Sequence, residues 1–181
     1  LSANPTAVGN TAFGDTAMQN TTTGLYNVAV GWQALRLNTT GSTNTAIGDF
    51  ALLNSQTAAS NVAVGTSAMQ YNTSGTLNTA VGDSALLNNT TAASNTAVGK
   101  GALGGVTTGA ENVAVDYLAG NYSIPLTTGA GNTFVGSYLS AAAGASNNQL
   151  CLGWAITSYA TSWISMGFSS SRTRVAAGST N

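Results

Sequence analysis

The sequence predicts an all-β chain, a parallel β-solenoid (a β-roll) of about nine coils of 17 residues. Three observations predict it. The pentad Asn27-Val-Ala-Val-Gly31 recurs as Asn44-Thr-Ala-Ile-Gly48, Asn61-Val-Ala-Val-Gly65, Asn78-Thr-Ala-Val-Gly82, Asn95-Thr-Ala-Val-Gly99 and Asn112-Val-Ala-Val-Asp116, and Asn10-Thr-Ala-Phe-Gly14 fits the same frame upstream. The seven starts are 17 residues apart without a slip, and such a period marks a stacked repeat architecture. Ala, Thr, Gly, Asn and Ser make up 117 of the 181 residues, so the interior is thin and lined by small side chains.

The unit reads N-[TV]-A-[VI]-G-x-x-A-[LM]-x-x-N-T-T-G-x-x, and its seventeen positions are numbered from the Asn. Positions two to four have β-branched residues around Ala, which favours a short strand. Gly at position five ends that strand in a conformation other residues reach only with strain. The A-L pair at positions eight and nine predicts a second short strand. N-T-T-G predicts a turn, since Asn tolerates left-handed geometry and Gly supplies it. Two strands and two turns in 17 residues describe one coil; a helix pair would need more chain. Units 44–60 and 78–94 are near copies, so a two-unit block has been duplicated.

Stacked coils place equivalent residues about 4.8 Å apart, and nine coils make a rod of roughly 45 Å. The unvaried Ala column (Ala29, Ala46, Ala63, Ala80, Ala97, Ala114) implies a site where nothing larger fits, the narrow inside of the coil. Positions two and four then face outward. Exposed Val and Ile columns are an aggregation hazard, which implies that other chains cover them. The opposite assignment, with Val inside and Ala at the interface, leads to the same conclusion, because one coil is too thin to bury both faces. The Asn column at position one predicts an amide ladder between coils. After Asp116 the pattern loosens. The next start is Asn132, twenty residues on, past an insertion with Ile124-Pro125; Gln149-Leu-Cys-Leu-Gly153 resumes the frame, and Trp163-Ile-Ser-Met-Gly167 reads as a last, 14-residue copy. The organisation is therefore a lead-in at 1–9, regular coils at 10–116, degenerate coils at 117–167 and a polar exit segment at 168–181. The chain, starting at Leu1, reads as a fragment or a processed product.

Composition restricts the chemistry. There are four Lys and Arg, five Asp and Glu, no His and one Cys. A Ser-His-Asp triad, a His-ligated metal and a Cys₄ zinc site cannot be built within one chain. Four basic residues neutralise few phosphates, which argues against nucleic acid. No stretch approaches the roughly 20 apolar residues of a membrane span. The reading is of a non-enzyme with no catalytic residues, no cofactor and no metal.

Several motifs have ordinary explanations. Gly99-Lys-Gly-Ala-Leu-Gly104 matches G-x-G-x-x-G, but a dinucleotide site needs a following helix, and Gly99 is simply position five. Asp15, Asp49 and Asp83 recur every two coils, about 10 Å apart, too far to share a metal; they read as solvated acids that keep a nearly uncharged rod soluble. Glu111 and Asp116 flank one strand, and a hydrolytic site shared between chains stays open as an alternative. The Thr pairs 22–23, 39–40, 90–91 and 107–108 form columns that read as turn chemistry, with ice binding as the sharper alternative. N-x-S/T triplets at Asn20, Asn38, Asn72, Asn88, Asn89 and Asn121 arise from the turn repeat. Cys151 takes the Ala position and reads as a small core residue. Aromatics gather late (Tyr117, Tyr122, Phe134, Tyr138, Trp154, Tyr159, Trp163, Phe168), read first as fillers of a wider coil. Trp32 and Tyr71, in columns that vary between copies, are surface candidates. Trp32, Tyr71, Tyr117 and Tyr122 are the glycan-contact candidates.

The N-[TV]-A-[VI]-G units resemble the head repeats of YadA-type trimeric autotransporter adhesins. With A-L and N-T-T-G added, the unit looks closer to the repeat region of bacteriophage tail-fibre proteins that end in an endosialidase-type intramolecular chaperone. The resemblance spans about residues 4–167, departing in its 17-residue period and in segment 116–148. It implies a left-handed roll assembled as a homotrimer, a virion tail fibre outside the cell, and attachment to a host-surface glycan or protein. The implied partners are two further copies of the chain and other fibre or virion proteins. The alternative is the head of a bacterial surface adhesin; a polysaccharide depolymerase and an ice-binding protein are further alternatives.

Overall fold

The protein was examined as a computed structural model, which describes residues 8–158, 163–168 and 171–176. Eleven strands form one sheet in sequence order: β1 (Thr11–Phe13), β2 (Val28–Val30), β3 (Thr45–Ile47), β4 (Val62–Val64), β5 (Thr79–Val81), β6 (Thr96–Val98), β7 (Val113–Val115), β8 (Thr133–Val135), β9 (Leu150–Trp154), β10 (Trp163–Phe168) and β11 (Ser171–Ala176). The first ten run parallel and in register, so Ala29 pairs with Ala46, Ala46 with Ala63 and Ala63 with Ala80. Each strand is one repeat of a β-solenoid of about nine turns. The 14-residue offset of the last copy is met: Gly167 pairs with Gly153. β11 turns back antiparallel on β10, inside the segment read as a polar exit. Residues 1–7 of the lead-in, 177–181 of the exit, and Tyr159 lie outside the described residues.

The Ala column faces inward: Ala29, Ala46, Ala63, Ala80, Ala97 and Ala114 are fully buried. Opposite stand Ala at position eight and Leu or Met at position nine, as in Ala51-Leu52 and Ala68-Met69, also fully buried. Three small or medium side chains fill each coil, so every one of them counts. Where the column changes, it changes in compensation. Phe134 replaces Ala at position three, and Gly120 stands where the six preceding coils carry Leu or Met; a Cβ on Gly120 would lie 3.0 Å from the Phe134 ring. Phe134 is thus the filler of a wider coil that was expected, and Cys151 is the expected small core residue.

The second strand is not there. Positions five to twelve form a train of turns. Alternate residues bond locally: in the coil of Asn27, the N–H groups of Ala34, Arg36 and Asn38 donate to the carbonyls of Gly31, Gln33 and Leu35. The residues between donate along the rod: Gln33 N–H back to Asp15, and Leu35 and Leu37 N–H forward to Ala51 and Leu53. This alternation demands left-handed backbone at positions seven and nine, with φ 57° at Gln33 and 52° at Leu35. The cost is about 1–2 kcal/mol per L-residue. It is offset because every buried N–H then finds a carbonyl, and because two consecutive side chains can both point inward, which a strand forbids.

Position five carries φ near 130° in most coils, a region that glycine alone occupies without strain. The coils also meet there: a Cβ on Gly48 would sit 2.6 Å from the Gly65 backbone. The segment Gly99 to Gly104 is one such corner followed by turns, with no helix behind it.

Candidate functional site

Two surfaces carry the chemistry: the outer face of the sheet, and an aromatic corner on the late coils. The outer face consists of positions two and four. Position two is Thr or Val from β1 to β8; position four is Phe13, Val30, Ile47, Val64, Val81, Val98, Val115 and Val135. Strand geometry forces both outward once the Ala between them is buried. Phe13 is 75% exposed and Val135 42%. No charged side chain interrupts either column from β1 to β9. The result is a straight, uncharged, largely apolar stripe running the length of the rod.

The aromatic corner arises where the coil lengthens. The coil from Asn112 has three residues more than the regular coils, and segment 121–125 bulges outward. The bulge is anchored at both ends. Leu126 N–H donates to Gly120 O at 3.0 Å, Asn121 Nδ2 to Gly101 O at 2.9 Å, and Ser123 N–H to Ser140 Oγ at 2.9 Å. Tyr122 on this bulge meets Tyr138 of the next coil, with ring centres 5.0 Å apart. Tyr138 also meets Tyr117 at 5.1 Å and Trp154 at 6.0 Å, always edge to face. Such geometry is the favoured one for aromatic pairs, worth about 0.5–1.5 kcal/mol beyond burial. Tyr122 and Trp154 stay about half exposed. Tyr138 and Trp154 therefore do not fill the core, as the filler reading had them, but build a surface ridge across three coils. The side chains of Trp163 and Phe168 lie outside the described residues.

The four glycan-contact candidates separate accordingly. Tyr117 and Tyr122 come together through Tyr138. Trp32 is exposed on an early coil and packs edge-on against Phe50, ring centres 4.6 Å apart; its backbone N–H donates to Asp49 Oδ1 at 2.9 Å. Tyr71 is exposed and, among the described residues, makes no ring contact.

Asp116 breaks the glycine column. It occupies position five, where the other coils have glycine, at φ 102°. Its Oδ1 accepts the Tyr117 N–H at 2.7 Å, which ties the carboxylate to the aromatic corner. The substitution was visible in Asn112-Val-Ala-Val-Asp116 and was the one signal available. Glu111 stands at the other end of β7, and both acids are exposed.

Asp15, Asp49, Asp83 and Lys100 sit in the position-six column, while Arg36 stands at position ten and donates to Gln19 Oε1 at 3.1 Å. Asp15, Asp49 and Asp83 are solvated as expected. Asp83 accepts a hydrogen bond from Ser84 Oγ at 2.6 Å and pairs with Lys100 at 3.5 Å. The Ser84 hydroxyl first, and the Lys100 charge after it, hold its carboxyl below the usual range. The position-thirteen threonines are spoken for: Thr22, Thr39, Thr73 and Thr90 each donate Oγ1 to the carbonyl one coil on, at 2.9–3.0 Å. At position thirteen the hydroxyls therefore serve the turns between coils. Three of the N-x-S/T asparagines, Asn38, Asn72 and Asn89, are fully buried and hydrogen-bonded inside the coil. Compared with protein-family models, with curated proteins and with solved structures, the chain finds no match.

Proposed function

We propose that this chain is a structural and adhesive segment of a homotrimeric viral fibre, of the tail-fibre kind, that extends from a virion and attaches to a host surface. The observation that carries the proposal is the uncharged stripe of positions two and four. Contiguous exposed apolar surface of this length marks an interface, and a second copy suits it best. Identical chains in parallel register present the same residue at each level, so Val meets Val or Thr all along the rod. The number three comes from the resemblance. Stiffness follows from a backbone that is hydrogen-bonded along the axis in every coil. The chain acts by reach and contact, without enzymatic chemistry or a cofactor, and its outer partners are a host-surface glycan or protein and the neighbouring parts of the fibre.

Two measurements test this together: the mass of the chain in solution, and its adsorption to bacterial cells as a labelled protein. A trimer that adsorbs supports the fibre. A monomer contradicts it. A trimer whose natural flanks prove to be a coiled-coil stalk and a membrane anchor would move the assignment to a bacterial surface adhesin.

A further inference from the structure

We infer that the corner built by Asp116, Tyr117, Tyr122, Tyr138 and Trp154 is a binding site for an uncharged, hydroxyl-rich glycan chain lying along the rod axis; this deepens the adhesive reading above and rests on it. Two independent observations converge there. The first is the ridge itself, Tyr117 to Tyr138 to Trp154, with ring centres 5.1 and 6.0 Å apart on successive coils, flanked by Tyr122 on its anchored bulge. Tyr and Trp offer large rigid faces with a polar handle at little entropic cost. Neighbouring rings here stand nearly perpendicular, so the half-exposed rings of Tyr122 and Trp154 are separate platforms for the apolar C–H faces of sugar units along one chain.

The second observation is the strain at Asp116. An L-residue at φ 102° is costly, and here it replaces the glycine that the repeat supplies at the equivalent corner of the other coils. Strain of this kind persists where function holds it. What Asp brings that glycine lacks is a carboxylate. One oxygen is oriented by the Tyr117 N–H; the side chain is exposed, leaving the other oxygen to accept sugar hydroxyls through charge-assisted bonds, the stronger class. The sign of the charge sets the ligand class. Among the described residues no ion pair is formed by Asp116, and Lys100, in the coil before it, is paired with Asp83. An anionic glycan would meet an unneutralised carboxylate and be rejected.

The test is calorimetric titration of the intact chain with uncharged gluco-, galacto- and manno-oligosaccharides of four to six units, against oligogalacturonate. At least one uncharged oligomer should bind, and oligogalacturonate should not. Tyr122→Ala and Asp116→Gly should each weaken binding about tenfold or more. Asp116→Gly should at the same time raise the thermal midpoint, because it restores the glycine of the repeat. Loss of binding in a more stable protein cannot come from misfolding. The inference is overturned if none of the uncharged oligomers binds at up to about 10 mM, if oligogalacturonate binds better, or if Asp116→Gly leaves affinity unchanged. A trimer that adsorbs to cells and ignores the sugars sinks this inference alone; a monomer that binds them sinks the fibre reading alone.

Discussion

The side-chain oxygen of Asn27 accepts two hydrogen bonds from Asn44, one from its backbone N–H at 2.9 Å and one from its amide at 3.1 Å. The same pairing repeats from Asn44 to Asn61, Asn61 to Asn78, Asn78 to Asn95 and Asn95 to Asn112. It crosses the 20-residue coil to Asn132 and ends at Gln149 N–H. Each amide also donates to a position-fifteen carbonyl of its own coil, as Asn61 does to Gly75 at 2.9 Å. These asparagines are buried, and full satisfaction is what makes a buried polar column tolerable.

Asn61→Ala should therefore cost far more than one hydrogen bond. It removes the oxygen that accepts from both the backbone N–H and the amide of Asn78, leaving two buried donor bonds unmade. It also strips one of two donors each from the Gly75 carbonyl and the Asn44 oxygen, which keep Asn72 and the residue-61 N–H. Unsatisfied buried groups cost about 1–3 kcal/mol each. We expect a loss of about 3 kcal/mol or more in urea unfolding, against less than about 0.5 kcal/mol for Asn54→Ala on the outer turn. Equal effects would show that the ladder contributes no special stability.

A second ladder, at position twelve, is incomplete. Asn72 accepts from Asn89 at 3.3 Å, but in the coils before it Thr21 Oγ1, Asn38 Oδ1 and Ser55 Oγ are buried without partners. Ser55→Asn should restore the column. Asn fits beside an Ala at position fifteen, since Asn89 already donates to Ala92 O, and Ser55 shares its coil with Ala58. A gain of about 0.5–1.5 kcal/mol is expected, read as a higher thermal midpoint. A lower one would mean that the extra volume outweighs the bonds.

The Ala column should reject enlargement. Ala80 lies in register between Ala63 and Ala97, all fully buried. Overpacking costs about 1–3 kcal/mol per site in ordinary cores. Ala80→Leu should fall at or above that range, because no neighbouring glycine offers room as Gly120 does for Phe134. Val81→Thr, one residue on, should change the stability of the isolated chain by less than about 0.5 kcal/mol. Comparable losses for the two would contradict the inward assignment of Ala.

Stability should barely depend on pH between about 5 and 9, because no histidine titrates there. The Asp83 carboxyl, held low by Ser84 and Lys100, has its folded pKa below its unfolded one. Its contribution is thus present above the unfolded pKa and lost as the pH falls through the folded pKa. The pair is exposed, so the loss is at most about 1 kcal/mol. Thermal midpoints across pH 3–9 in wild type and Asp83→Asn would show this. A large loss near pH 6 would contradict it.

The sequence carried the period and the Asn ladder plainly, because each is a column property and columns survive in one dimension. It favoured the inward Ala, and the burial of that column decided between the two faces. It misled at positions eight and nine. Ala51-Leu52 looks like a strand, yet two adjacent buried residues cannot share one face of a strand, and that objection was available from the pattern. Left-handed Leu and Gln were not legible, since nothing in either residue favours that backbone. The aromatic corner was half legible. Tyr117 and Tyr122 stood out, but Tyr138 and Trp154 joined them only through the stacking of coils, which a three-residue insertion shifts. Asp116 was readable as a broken glycine column and became meaningful once its φ placed it under strain beside the rings.

The central claim is that the stripe of positions two and four is an interface between copies of this chain. Light scattering during size exclusion tests it most directly. The account predicts a mass of three times 17.9 kDa, and its collapse toward a single chain when Val81 and Val98 are both replaced by Lys. A well-folded wild-type monomer at 17.9 kDa would contradict it.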